Sequence, residues 1–261
     1  MPPLSAVLSF SMTIANFIRV AHRGSSGSYP ENTRIALEKA IESGVDMIEV
    51  DCQLSKDGQV VVIHDGRLDR TAGVKGYVRG KTLKQLKRLD IGAWFDKSFA
   101  GERILTLEEA MEIAHDKVEL NAELKPAIHG PLGIELKILF ILSHYGYLDR
   151  SILSSFDYRA LRRVRELGPE ARIGVLYGAE SKENPFQLAR EIGAYSLHIQ
   201  KELATPPLLE KAAQIGVKTL VWTVNEVREM EKFLASGVDG IISDFPEKFW
   251  KIRRRTIIEL R

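Results

Sequence analysis

Ser43-Gly44-Val45-Asp46-Met47-Ile48 returns late in the chain as Ser236-Gly237-Val238-Asp239-Gly240-Ile241, and this repeated junction decides the fold. In both copies a glycine ends a helical pattern and an apolar run follows at once. Ile192-Gly193-Ala194 and Ile215-Gly216-Val217 are related junctions. Glycine suits the position just past a helix C-terminus, where a left-handed backbone costs it least. Working outward from these marks gives eight β segments, near 17–22, 45–52, 118–124, 150–155, 172–177, 194–199, 217–223 and 239–243. Helical patterns separate them. One starts at Asn32 or Thr33 as N-cap and puts Leu37, Ala40 and Ile41 on one face. Others carry Leu107, Ala110, Met111 and Ala114, and then Leu208, Leu209, Ala212 and Ala213. Alternating β and α elements imply a parallel sheet, and eight pairs with no second composition regime predict an α/β fold of the (β/α)8 TIM-barrel type. A doubly wound open sheet is the alternative.

The stretch from about 54 to 105 breaks the alternation and reads as a small insertion after the second strand, mostly a long loop with a short helix near 82–89. Asp57-Gly58, ahead of Val60-Val61-Val62-Ile63, is a two-residue hairpin signal. With those two residues as the loop, Asp51 lies opposite His64 on one face of the ladder.

The chain has 261 residues, a charged fraction of 28% and a net charge of only +2. That balance speaks for neither a nucleic-acid partner nor a membrane surface. A single cysteine, Cys52, excludes an intramolecular disulfide framework and a cysteine-based zinc site. The first 18 residues carry no charge, but they lack the basic start of a secretory signal, and serines interrupt their apolar run. Residues 1–16 read as a short leader, 17–261 as one barrel domain, and the location as cytoplasmic without stable membrane insertion. Arg253-Arg254-Arg255 reads as the exposed end of a last helix. Nothing in the sequence sets an oligomeric state.

Between residues 22 and 65 the chain gathers His22-Arg23, Glu49-Val50-Asp51 and His64-Asp65. Two acids at i and i+2 on a strand project from one face and offer hard oxygens to a divalent cation. Two histidines supply a base and an acid, and Arg23 suits an anion. On a barrel these residues fall at the C-terminal ends of the strands, where barrel active sites lie. Glu123-Leu124-Lys125, Ser154-Ser155-Phe156, His198, Trp222 and Asp244 end later strands and converge on the same rim. His198 sits in an apolar run and reads as a hydrogen-bonded core histidine. Phe156 and Trp222 stand where aromatic rings either join the core or wall a ligand.

His22-Arg23-Gly24, Pro30-Glu31-Asn32-Thr33, Glu49-Val50-Asp51, Lys56-Asp57-Gly58 and His64-Asp65 together resemble the glycerophosphodiester phosphodiesterases. The likeness continues through Glu123-Leu124-Lys125, Ser154-Ser155-Phe156, Trp222-Thr223-Val224-Asn225 and Gly237 to Pro246, so it spans about 19–250. The resemblance implies hydrolysis of a small-molecule glycerophosphodiester to sn-glycerol 3-phosphate and an alcohol. It also implies one divalent metal ion, Mg²⁺ or Ca²⁺ with Mn²⁺ a further choice, on Glu49, Asp51 and Glu123. His22 and His64 become the acid–base pair, in either order, with Arg23 and Lys125 meeting the phosphate. Phe156 and Trp222, as strand-end aromatics, are the candidate further substrate contacts. Pro30 to Thr33 read as shaping the first loop. Two alternatives stand beside this: a lysophospholipase D or cyclising phospholipase of the same barrel type, and a ligand-binding barrel without catalysis.

Overall fold

A computed structural model describes residues 17–125 and 133–252. The leader read over 1–16 and the Arg253-Arg254-Arg255 run lie outside the described residues. All eight expected strands are present: β1 (Ile18–His22), β2 (Met47–Leu54), β5 (Glu119–Leu124), β6 (Ser151–Ser155), β7 (Arg172–Tyr177), β8 (Ser196–Gln200), β9 (Lys218–Trp222) and β10 (Gly240–Ser243). Each pairs in parallel with its neighbours, and β1 bonds both β10 and β2, which closes the barrel. The open-sheet alternative is thereby excluded.

The recurring glycine junctions do what their chemistry suggests. Gly44, Gly193, Gly216 and Gly237 all have positive φ, between 57° and 80°, at the ends of helices. Those helices are α1 (Arg34–Glu42), α7 (Pro185–Glu191), α8 (Pro206–Gln214) and α9 (Val227–Ala235). Thr33 caps α1, its hydroxyl accepting from the Ala36 amide, a contact worth about 1 kcal/mol. Leu37 and Ala40 are buried beneath that helix, and Leu107, Ala110, Met111 and Ala114 are all buried under α4 (Leu107–Ala114). Under α8 the stripe is narrower than expected. Leu209 and Ala212 are buried, but Ala213 faces solvent.

Two apolar layers result. Outward-facing strand residues such as Ile48, Val50, Leu120 and Ala122 pack against the helices. Inward-facing Val20, Met47, Ile152, Leu220 and Ile242 fill the barrel. Gly174 leaves room inside the barrel for His198, since a Cβ there would stand 2.8 Å from the imidazole ring. The His198 side chain is buried and bonds the Ser196 hydroxyl at 2.9 Å, as a core histidine should. Burial pulls its pKa down to about 4.

The insertion is a folded unit, not a long loop. β3 (Val60–Val62) runs antiparallel to β2, and β4 (Leu105–Thr106) runs antiparallel to β3. Between them lie α2 (Asp69–Ala72) and α3 (Leu83–Leu86), around a separate core of Val61, Ile63, Leu68, Val78, Leu86, Ile91 and Ile104. The hairpin register differs by one from the expectation. Cys52 pairs with Val62, and the Ile63 amide donates to the Asp51 carbonyl at 2.8 Å, so Asp51 faces Ile63 instead of His64. The cause is a three-residue loop, Lys56-Asp57-Gly58, closed by Ser55 and Gln59, with Gly58 at φ 75°. A third loop residue in the left-handed region shifts the partner strand by one. Two further helices complete the barrel wall among the described residues, α5 (Ile134–His144) and α6 (Tyr158–Leu167). No helix among the described residues is long and apolar enough to cross a membrane.

Candidate active site

Strand alternation carries the acids inward. In β2, Ile48, Val50 and Cys52 belong to the outer core, so Glu49 and Asp51 point into the barrel mouth. The β2–β5 register pairs Asp51 with Glu123, which brings the third acid alongside. One oxygen from each of Glu49, Asp51 and Glu123 lies within 4.8 Å of the others, and all three residues are buried. Lys125 reaches Asp51 at 2.8 Å and also pairs with Glu123. The Arg23 guanidinium lies 3.2 Å from Asp51, and the Arg23 amide donates to Glu49 at 2.9 Å.

Positive charge falls short of negative charge here. Burial and the nearby Asp51 and Glu123 push Glu49 well above the usual carboxylate range. Burial also raises Glu123 despite Lys125. Burial works against ionisation of Asp51 too, but Lys125, Arg23 and His64 outweigh it and hold its pKa low. Glu49 keeps one buried oxygen, Oε1, without a hydrogen-bond partner. A buried carboxylate oxygen with no donor is costly. A divalent cation would satisfy that oxygen and neutralise the excess charge, and three carboxylates are the donor set that hard cations prefer. The residues therefore fit the expected metal.

Each histidine is held by a carboxylate on Nδ1. His22 ends β1, and its Nδ1 lies 2.6 Å from Asp244, while its Nε2 lies 3.9 Å from Glu49. His64 follows β3, with Nδ1 2.6 Å from Asp65. A carboxylate only accepts, so both rings carry a proton on Nδ1, and Nε2 is the nitrogen left for proton transfer. Gln53 fixes the His64 segment by donating to the carbonyls of Ile63 and His64 at 2.9 and 2.8 Å. Burial lowers the His64 pKa, and Lys125 and Arg23 add to that against the pull of Asp51. Burial alone would raise Asp244, but its hydrogen bonds with His22, Asn225 and Ser26 hold it at about 2.

Several residues that assemble the mouth were read from sequence only as loop or strand-end residues. Asn32 donates to Asp51 at 2.8 Å from a backbone at φ 59°. Arg23 adopts φ 57° beside it. Left-handed residues that are not glycine cost energy and gather at functional sites. Gly24 makes this tight turn feasible, since its Cβ would lie 2.6 Å from the Ala36 carbonyl carbon. Glu31 pairs with Arg23 at 3.1 Å. Asn225 donates to Asp244 at 2.7 Å. The Pro-Glu-Asn-Thr run was the available signal for Glu31 and Asn32, but spacing along the chain does not disclose a left-handed turn.

Phe156 and Trp222 stand edge to face, with ring centroids 5.6 Å apart, and line an open cavity of about 690 Å³ together with Gly178 and Gln200. A Cβ at Gly178 would lie 3.1 Å from the Gln200 side-chain oxygen and in ordinary contact with Phe156 and Trp222, at 3.4 and 3.6 Å. The Trp222 indole donates to the His198 carbonyl at 2.9 Å, which sets its tilt. Phe156 is 40% exposed, a wall residue more than a core residue.

A closed barrel whose mouth joins a buried acidic triad, two cations and two carboxylate-held histidines is the framework of a barrel hydrolase for anionic esters. Residues 22–248 match the glycerophosphoryl diester phosphodiesterase family. A glycerophosphodiester phosphodiesterase of Caldanaerobacter subterraneus subsp. tengcongensis is 44% identical over 90% of this chain and 97% of its own length. One from Bacillus altitudinis is 37% identical over 89% of this chain and 96% of its own. Among solved structures, an Oleispira antarctica phosphodiesterase in complex with the product sn-glycerol-3-phosphate is 32% identical. Its TM-score is 0.82, with 90% of this chain and 96% of that chain covered. The Thermotoga maritima glycerophosphodiester phosphodiesterase is 31% identical, with a TM-score of 0.71 and coverage of 90% and 98%. The chain belongs to the glycerophosphodiester phosphodiesterase family and is a phosphoric diester hydrolase.

Proposed function

We propose that the protein hydrolyses small glycerophosphodiesters to sn-glycerol 3-phosphate and an alcohol, with one divalent cation held by Glu49, Asp51 and Glu123. The observation that carries this reading is the unpartnered buried Glu49 oxygen inside a triad flanked by two histidines. The product bound by the Oleispira antarctica relative supports the substrate class. Mg²⁺, Ca²⁺ and Mn²⁺ all accept such oxygens. When bound, the cation withdraws charge from a non-bridging phosphate oxygen and eases attack on phosphorus.

The protein's own groups do the rest. Arg23 and Lys125 neutralise the phosphodiester anion, Arg23 through a planar fork of donors. His22 takes the proton of the attacking oxygen at Nε2, and Asp244 steadies the imidazolium that forms. His64 acts as the imidazolium: Asp65 holds its Nδ1–H, and the proton on Nε2 passes to the departing alkoxide, which leaves the ring neutral. Phe156 and Trp222 meet the carbon skeleton of the substrate across the open cavity.

The test is release of sn-glycerol 3-phosphate from glycerophosphocholine, followed enzymatically with Mg²⁺, Ca²⁺ or Mn²⁺ and again after EDTA. Metal-dependent release supports the reading. Absence of release with every metal and several headgroups rejects it, and faster turnover of lysophosphatidylcholine would favour the phospholipase alternative.

A further inference from the structure

We infer that Arg70, supplied by the insertion, is a positioning residue that sets the orientation of His64. The inference rests on the reading of His64 as a proton-transfer group. Arg70 lies on α2 and spends its guanidinium in two directions. Its Nε donates to Asp65 at 2.7 Å, and its two terminal nitrogens grip both oxygens of Glu31 at 2.7 and 2.8 Å. The other oxygen of Asp65 is the one that holds His64 Nδ1. Glu31 belongs to the barrel's first loop, so a single side chain ties the insertion to the barrel beside the catalytic mouth.

The guanidinium is itself fixed. Its central carbon lies 5.2 Å from the Trp94 ring centroid. Trp94 is pinned in turn by its indole bond to the Ile91 carbonyl at 2.8 Å. The Arg70 side chain is 40% exposed, and an isolated ion pair so exposed contributes little to stability. A bidentate, stacked arginine that shares two carboxylates constrains geometry instead. Without it, one Asp65 oxygen has no partner and the carboxylate is free to turn away from His64. The Glu31 carboxylate would then be left to Arg23 alone, which already serves Asp51. Lysine keeps the charge but has no planar fork with which to bridge both acids.

The experiment compares wild type with Arg70→Ala, Arg70→Lys, Asp65→Asn and Arg70→Ala/Asp65→Asn. It reads steady-state kinetics on glycerophosphocholine and ¹⁵N spectra of the histidines. Arg70→Ala is expected to lower kcat by about 10- to 100-fold with KM changed less than about 3-fold. Arg70→Lys should recover less than half of the loss. Because Arg70 acts through Asp65, adding Arg70→Ala to Asp65→Asn should cost less than about 2-fold more. In the spectra, His64 should lose its uniform Nδ1–H form in Arg70→Ala while His22 keeps its own. Multiplicative effects in the double variant, or an unchanged His64 tautomer in Arg70→Ala, would overturn the inference. The spectra need no turnover, so an inactive wild type that keeps the Arg70-dependent tautomer rejects only the catalytic reading of His64.

Discussion

His22 Nδ1 and Asp244 Oδ1 meet at 2.6 Å although 222 residues separate them. The contact crosses the seam where β1 pairs with β10, with Ala21 opposite Ser243. Closing the barrel is therefore what equips the first histidine with its carboxylate. Asp244→Asn should leave the fold intact and lower kcat by about 100-fold, the scale of losing a well-oriented acid–base group. Steady-state kinetics beside an unchanged unfolding temperature would check this. Activity within 2-fold of wild type would detach Asp244 from the proton transfer.

A cation held by the triad would make the protein's stability depend on metal. At a metal concentration 100 times its dissociation constant, binding to the native state alone adds about 2.7 kcal/mol. For a chain of this size that corresponds to roughly 5–10 °C in Tm. Glu49→Gln keeps the shape but removes a ligand charge, and it should abolish most of that rise. Differential scanning calorimetry with and without MgCl₂, CaCl₂ or MnCl₂ measures it. An equal rise in Glu49→Gln would place the metal elsewhere.

His198 builds an acid sensitivity into the barrel interior. Its folded pKa is about 4, against about 6.5 in an unfolded chain. Between those values the unfolded chain binds more protons, so stability falls as pH falls. The contribution is fully present above about pH 6.5 and declines toward pH 4 by about 3 kcal/mol. Urea unfolding across this window should show that slope in wild type and a flatter one in His198→Asn. Identical slopes would show that His198 does not carry the effect.

Trp222, at the end of β9, and Phe156, just past β6, wall the open cavity at the C-terminal rim of the barrel. Trp222→Ala should raise KM by roughly 10-fold while kcat stays within a few-fold, since it removes contact area common to ground and transition states. A fall in kcat with KM unchanged would give the indole a role in the chemical step.

How far the sequence disclosed all this follows from the range of each signal. Period-two alternation placed Glu49 and Asp51 on one face of β2, and glycine junctions marked the turns between helix and strand. Both signals are local, and both are fulfilled. Asp57-Gly58 announced a hairpin, but loop length turns on the backbone angle of Gly58, and the register moved by one. Glu31 and Asn32 stayed hidden because left-handed backbone at Arg23 and Asn32 turns them into the mouth. Arg70 was invisible for a different reason. Its partners Glu31, Asp65 and Trp94 come together only once the insertion has folded on its own core.

The central claim is that Glu49, Asp51 and Glu123 hold the cation on which the phosphate is bound between two histidines. Anomalous diffraction from crystals soaked in Mn²⁺ and sn-glycerol 3-phosphate measures this most directly. The account predicts one strong peak ligated by all three carboxylates, with the phosphate bound to it between His22 and His64. A peak remote from the triad, or phosphate bound with no metal at these carboxylates, would contradict it.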